Sequence, residues 1–377
     1  MKDVKINMLK HFLHTLLLVY FALILVHGQD QTGFISIDCG RQPKDSSYSE
    51  STTGLKYISD EPFIEGGVSK SILAQYKPNL QDQVGYVRSF PQGIRNCYRI
   101  NVTAGTRYLI RATFLYGNYD GLNQLPEFDL HLGVNFWDTV KFDSVIISNM
   151  KELVHIPLKD NVQVCLINTG SGTPFISALE LRPLKNTTYA TSSGSLSLTL
   201  RADVGSTING SYRYSYDVFD RLWLPYNFNK WTQFTTPLTV NPGKNYQPPS
   251  VVMSTAAIPI NESSPMQFFW TAPDPNTVFY VYMYFSELQQ LKANESRAFN
   301  ITLNGELFYG PLVPEYLNVT TIFTPSGVSG GNFTFWLVKL ENSTLPPIFN
   351  AIEIYTLVDF SRSETEQQDG TLSFSFP

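Results

Sequence analysis

The chain says nearly the same thing twice. Residues 105–116 read Gly-Thr-Arg-Tyr-Leu-Ile-Arg-Ala-Thr-Phe-Leu-Tyr, and after a loop residues 128–133 read Phe-Asp-Leu-His-Leu-Gly. Residues 276–287 and 299–304 carry the same apolar pattern around a loop in the same place. Phe114 maps to Phe285 and Phe128 to Phe299, both at an offset of 171. A common offset across two segments and the loop between them points to duplication of a whole folding unit. Weaker matches keep the same order. Residues 174–181 match 347–354 at an offset of 173. Asp38-Cys39-Gly40 resembles Asp203-Val204-Gly205 at 165, and residues 57–60 resemble 214–217 at 157. The offset drifts as loop lengths differ.

The period within each copy is that of strands. Tyr108, Ile110, Ala112 and Phe114 share one face, as do Phe128, Leu130 and Leu132 between Asp129 and His131. In the second copy Phe279, Val281, Met283 and Phe285 alternate with Tyr280, Tyr282 and Tyr284. Period-two alternation over five to seven residues marks strands with one buried face. Gly, Pro, Asn and Asp punctuate the chain, and no long stretch has helical periodicity. The expected fold is all-β: two tandem antiparallel β-sandwich lobes at 33–184 and 196–357. The polar residues 185–195 read as an exposed linker, and the charged residues 361–377 as a disordered tail.

The first 28 residues have the form of a secretory signal peptide. Lys2, Lys5 and Lys10 precede an apolar run from Leu16 to Val26, and small residues follow. Eleven residues rise only about 16 Å as a helix, too short for a bilayer of about 30 Å. Cleavage there gives an extracellular chain with 24 Lys+Arg and 31 Asp+Glu (27 − 3 and 32 − 1), a net charge of −7. Without a basic patch, nucleic acid is excluded as a partner. In an oxidising compartment one pair among Cys39, Cys97 and Cys165 bridges and one is left over. Three pairings are open, and Cys97–Cys165 is preferred, with Cys39 buried and free. Nine glycosylation sequons occur, at Asn101, Asn186, Asn209, Asn261, Asn294, Asn300, Asn318, Asn332 and Asn342. Seven lie beyond residue 200, so the second half is expected to be the more shielded.

No arrangement for catalysis stands out. After cleavage only His131 and His155 remain, each read as a surface or hydrogen-bonded strand histidine. No zinc-ligand spacing occurs, and no cofactor is implied. Asp120, Glu127 and Asp129 are close in sequence, but carboxylates on exposed loops are common. The chain therefore reads as a binding protein, not an enzyme. The candidate surface is the loop Tyr116-Gly-Asn-Tyr-Asp-Gly-Leu-Asn123. Tyr116 and Tyr119 offer flat apolar faces to sugar rings, while Asn118, Asp120 and Asn123 can hydrogen-bond hydroxyls. The plain alternative is a turn whose tyrosines pack on the sandwich rim. The segment from Tyr214 to Pro225 reads as structural, with Asp220 and Arg221 paired and Trp223 plugging the two lobes together.

Residues 33–40, 116–123, 175–183 and 214–225, in that order, resemble the malectin-like domain of plant leucine-rich-repeat receptor-like kinases. The resemblance covers about residues 30–360. It implies tandem malectin folds at the outer end of a receptor, and partners among cell-wall glycans, peptides, proteins or receptor kinases at the plasma membrane. Animal malectin binds a glucose disaccharide with rim aromatics. Its Tyr-Phe pair looks most like Tyr284-Phe285 here, whereas the first copy has Thr113-Phe114. The family normally continues into a Gly-Asp-Pro-Cys motif, leucine-rich repeats, a membrane span and a kinase, none of which follows residue 370 here. The expectation is an extracellular carbohydrate- or ligand-binding module without the kinase. The alternative is a protein-interaction ectodomain, a co-receptor partner or decoy that binds no sugar.

Overall fold

A computed structural model describes residues 30–41 and 47–360. The signal segment 1–28 and the tail 361–377 lie outside the described residues. Residues 1–33 and 34–377 form separate compact units. In the first, Asp30 Oδ1 accepts the Thr32 N–H at 2.8 Å. All that follows concerns the second.

The fold is nearly all strand, and the duplication is visible in its sheets. In the first lobe, strands Ile35–Asp38, Ala178–Pro183, Tyr108–Phe114 and Asn149–His155 are neighbours in that order. In the second, Ser195–Val204, Ala351–Val358, Val278–Phe285 and Thr320–Phe323 repeat the order. Each set is faced by a four-stranded sheet. The first runs Arg95–Asn101, Asn161–Ser171, Glu127–Leu132, Asn135–Val140; the second runs Met266–Thr271, Asn332–Lys339, Phe299–Leu303, Glu306–Leu312. The repeated segments thus occupy matching places: Phe114 and Phe285 on inner strands, Phe128 and Phe299 on outer ones. Both pairs of rings meet edge to face at 5.7 Å. Alternate apolar residues of the paired sheets fill one core per lobe, the sandwich solution for a half-apolar strand. In the first lobe's outer sheet Cys97 and Cys165 are directly opposed and bridged, while Cys39 is buried as a free thiol.

Two features go beyond two sandwiches in series. The inner sheets are not separate. Leu153 and Val154 pair antiparallel with Ser197 and Leu196, fusing both halves into one 12-stranded sheet. This junction satisfies two strand edges that independent lobes would leave open. The second feature corrects the expectation that these strands bury one face only. Tyr280, Tyr282 and Tyr284, opposite the core residues, are at most 1% exposed. They lie under a further layer drawn from the linker and from residues 206–247. Tyr189, read as part of an exposed linker, is 1% exposed; its ring meets Tyr246, Tyr282 and Tyr355. The linker carries too large an apolar ring for its backbone to stay clear of the sheet.

The weak Asp-x-Gly match proves equivalent as well. Gly40 and Gly205 have φ of +85° and +77°, and a Cβ on either would fall 2.1 or 2.0 Å from the carbonyl oxygen of Val87 or Ala256. Both positions need a left-handed backbone and close approach, which only glycine allows. The preceding aspartates are also alike. Asp38 accepts from Tyr48 Oη at 2.8 Å and Asp203 from Thr255 Oγ1 at 2.6 Å. Burial raises their carboxyls to about 7 and about 6, against the donors that would lower them. The folded state therefore holds these protons more tightly than the unfolded chain. The stabilisation is complete below about pH 4 and is lost as pH rises through 6 and 7. Asp203→Asn keeps an acceptor for Thr255 and removes the buried charge. Urea titrations should show it stabilising at pH 8, by up to about 3 kcal/mol, and having little effect at pH 4. An equal effect at both pH values would contradict the assignment. His155 works the other way. Burial lowers it to about 4, and its Nδ1 lies 2.7 Å from Ser195 Oγ. Its contribution is present above about pH 6.5 and falls as pH drops through 4.

Candidate ligand cleft at the lobe junction

The outer face of the fused sheet carries a row of charges that alternate in sign. Glu180 and Glu152 are the cross-strand neighbours of Arg111, and Arg201 is that of Glu353. Arg111 Nη2 donates to Glu152 at 2.9 Å, and Arg201 bonds both Glu152 and Glu353. The row crosses the seam between the lobes, since Glu152 is on the last strand of one and Arg201 on the first of the other. Residues 213–223 lie over it and add their own charges. Asp220 accepts from Arg111, Arg182 and Arg213 at 3.3, 2.8 and 2.7 Å. Asp217 accepts from Arg221 Nε at 2.9 Å and from the Trp223 indole at 2.7 Å. Five arginines (111, 182, 201, 213, 221) thus meet five carboxylates (Glu152, Glu180, Glu353, Asp217, Asp220).

Nearly all of this network is out of water. Trp223, Arg182, Arg221 and Asp220 are 0% exposed. Burial alone would raise the carboxyls of Glu180 and Asp220. Arg213, Arg182 and Arg111 outweigh it, holding Glu180 at about 2 and Asp220 far below its usual range. Asp217 has fewer positive neighbours, and burial raises it despite Arg221. Bidentate arginine geometry and full pairing are what make such burial tolerable.

Beside the network is a polar cleft of about 510 Å³ between the lobes. Arg111 and Arg213 belong to its lining. Asn79, Gln81 and Gln83 come from the first lobe, and Ser211, Ser215 and Tyr216 from the covering segment. Gln81 Oε1 accepts from both Gln83 Nε2 (2.9 Å) and Arg213 Nη1 (3.2 Å), linking the two walls. Gln83 is 3% exposed, and its Oε1 has no partner among the described residues. An unpaired buried acceptor is costly unless something donates to it. At the mouth Tyr216 is 61% exposed and meets Tyr212 edge to face at 5.2 Å.

The loop singled out in the sequence takes the plainer of its two readings, a turn whose tyrosines pack inward, and not that of a stacking surface. Tyr116 is 0% and Tyr119 8% exposed, and both rings pack against Phe175. Tyr116 Oη donates to Asp120 at 2.6 Å, Asn118 accepts the Asn123 N–H at 2.8 Å, and Asp120 accepts that of Leu122. Gly117, at φ +49°, sits against Ile72. The loop is closed on itself, so its rings are core and not a stacking platform. Tyr284 and Phe285 are likewise 0% exposed. Tyr284 Oη donates to Glu353, and Phe285 packs on Phe349. Of the expected site residues, only the polar groups at Asn118, Asp120 and Asn123 reach the surface. Glu127 pairs with Lys141 and Asp129 with Thr139. Among the described residues no group of His, Cys, Asp and Glu could hold a metal ion, and no helix is long and apolar enough to cross a membrane.

The signals for the network were in the repeat. Glu180 and Glu353 stand at matching positions of the 174–181 and 347–354 motifs. Arg111 is the lone charge of its strand in a chain only 16% charged, whereas Glu152 follows Lys151 and Arg201 shares its strand with Asp203.

A family model described as the malectin-like domain matches residues 37–357. The chain belongs to the malectin-like family. The LRR receptor-like serine/threonine-protein kinase IOS1 of Arabidopsis thaliana is 46% identical over 361 residues, 95% of this chain and 40% of that protein. This malectin-like chain thus spans about two fifths of that relative. The solved ANX2 ectodomain from Arabidopsis thaliana is 18% identical, with a TM-score of 0.68 over 87% of this chain and 97% of that one. A chain in the solved complex of the plant peptide RALF23 with FER and LLG2 is 18% identical, with a TM-score of 0.66 over 87% of this chain and 96% of that one. At such identities the solved structures speak to fold: the malectin-like ectodomain of receptor kinases.

Proposed function

We infer that the chain is an extracellular recognition module of receptor-kinase type that takes a peptide or protein segment in the cleft between its lobes. The lobes divide as 33–184 and 196–357. The observation that carries this reading is Gln83, a buried side chain with an unpaired acceptor in a polar cleft. A backbone or side-chain N–H supplies the missing donor, and the ring of Tyr216 gives an apolar contact beside it. The FER relative, whose solved complex contains a peptide, supports the same class of ligand. Peptides retained from plant extracellular fluid by the glycosylated protein would be identified by mass spectrometry, synthesised, and titrated by calorimetry. Gln83→Leu and Tyr216→Ala should each weaken binding about tenfold or more. Unchanged affinity in both variants would sink the cleft as the site.

A second reading is a cell-wall oligosaccharide. Three amide side chains, Asn79, Gln81 and Gln83, together with an exposed tyrosine ring suit sugar hydroxyls and C–H faces. Glycan arrays at millimolar concentration separate the two readings. Saccharide binding lost in Tyr216→Ala would favour this one.

A further inference from the structure

The second lobe contains a cavity that the cleft does not involve. It has a volume of about 440 Å³, and no charged side chain lines it. Its walls include Phe268, Trp270, Phe279, Phe349, Ile352 and Ile354. The rings of Phe268 and Trp270 alternate along Met266–Thr271, the end strand of its sheet, and lie nearly parallel at 11°. Phe333 backs Trp270 at 4.9 Å and 14°. The opposite wall is disturbed by a bulge. The pairing of Ser195–Val204 with Ala351–Val358 shifts register between Leu198 and Leu200, so Thr199 has no partner residue. Thr199 is exposed and belongs to the lining. A bulge re-aims a side chain and bends its strand, and here the bulged residue Thr199 belongs to the cavity wall.

One polar group within these walls is unsatisfied. The Trp270 indole N–H is buried and bonds to nothing among the described residues. A buried indole donor ordinarily finds an acceptor. We propose that this cavity binds a flat, uncharged, lipophilic small molecule that offers a hydrogen-bond acceptor to Trp270 Nε1. The size suits two or three fused rings, the parallel aromatics suit a planar ligand, and the lack of charge excludes an ionic one. The mouth argues against a macromolecular occupant. Thr271 Oγ1, in the lining, bonds Asn332 Oδ1 at 2.9 Å, and Asn332 begins an exposed sequon. A glycan added at Asn332 would bar a protein face and leave room for a small molecule.

The test uses the full secreted chain and a matched pair of probes, 2-acetylnaphthalene and 2-ethylnaphthalene, followed by tryptophan fluorescence and calorimetry. Both should bind one-to-one, with Kd of about 1–100 µM, and the ketone about five- to tenfold more tightly. Trp270→Phe should abolish the preference for the ketone while leaving the hydrocarbon's affinity in place. Thr199→Trp, which fills the mouth from an exposed position, should weaken both probes at least tenfold. Leu122→Ser, an exposed change in the first lobe, should alter neither. Absence of saturable binding, or binding indifferent to Thr199→Trp, overturns the proposal. A dimer in sedimentation that Thr199→Trp dissociates would also overturn it, by assigning the face to a second copy.

Discussion

Asp220→Ala should lower the free energy of unfolding by about 3–5 kcal/mol, the largest single-residue effect expected in the ionic seam. The reason is not the strength of any one bond. Asp220 faces Arg111, Arg182 and Arg213 at once, and two of these are at most 1% exposed. Removing the carboxylate leaves three guanidinium groups with fewer counter-charges where water cannot replace it. Asp220→Asn preserves the shape and some hydrogen bonding, so it should cost less. Asp120→Ala, an exposed carboxylate in the Tyr116 loop, should stay within about 1 kcal/mol. Urea titration of the three variants gives the comparison. Equal small losses for Asp220→Ala and Asp120→Ala would show that the seam contributes nothing beyond an ordinary surface pair. The cleft should suffer with the seam, because Arg213 holds Asp220 with one edge of its guanidinium and Gln81 with the other.

Gly205→Ala should be as damaging for an unrelated reason. The new methyl would meet the Ala256 carbonyl oxygen at 2.0 Å and its carbon at 2.2 Å, on a backbone at φ +77°. Neither atom can swing aside as a side-chain tip would. Strain of about 1–3 kcal/mol and overpacking of about 1–3 kcal/mol act together, giving an expected loss of about 3–5 kcal/mol. Gly40→Ala should match it in the first lobe, where the obstacle is the Val87 carbonyl. Gly54→Ala is the control. Its φ is +72°, but nothing lies within 4 Å of the added methyl, so only strain of about 1 kcal/mol remains. Thermal melts of the three variants would contradict this account if Gly54→Ala proved as harmful as Gly205→Ala.

The repeat made the architecture legible because it was written in strand periodicity. Phe114 with Phe285 and Phe128 with Phe299 occupy corresponding strands of duplicated sheets, and the Asp-x-Gly pairs form corresponding turns. The fusion of the two inner sheets was not legible. It depends on Leu153 and Val154 meeting Ser197 and Leu196, and neither segment says that its strand lacks a partner on one side. The burial of Tyr284 was missed for a related reason, whereas Tyr116 and Tyr119 pack on Phe175 as the plain-turn reading had it. A tyrosine on the outer face of a strand reads as a surface ring until the chain that covers it is known. Here the cover comes from Tyr189, Tyr246 and the segment through Trp223, far from those strands in sequence. That segment's structural role was readable from charges beside a tryptophan, but its pairing was not: Asp220 meets Arg111, Arg182 and Arg213, and Arg221 meets Asp217, in place of the expected Asp220–Arg221 pair. The cleft was the hardest to see. Its walls are short polar stretches, Asn79–Gln83 and Ser211–Tyr216, without pattern, and only the fused sheet sets them face to face.

The same fusion makes the two lobes one cooperative body, welded by the charged seam. Differential scanning calorimetry of the whole chain reads out this cooperativity. The wild type should show a single transition, with calorimetric and van't Hoff enthalpies in agreement. Asp220→Ala should move that transition down or split it into two. Two separate transitions in the wild type, each unaffected by Asp220→Ala, would contradict this cooperativity.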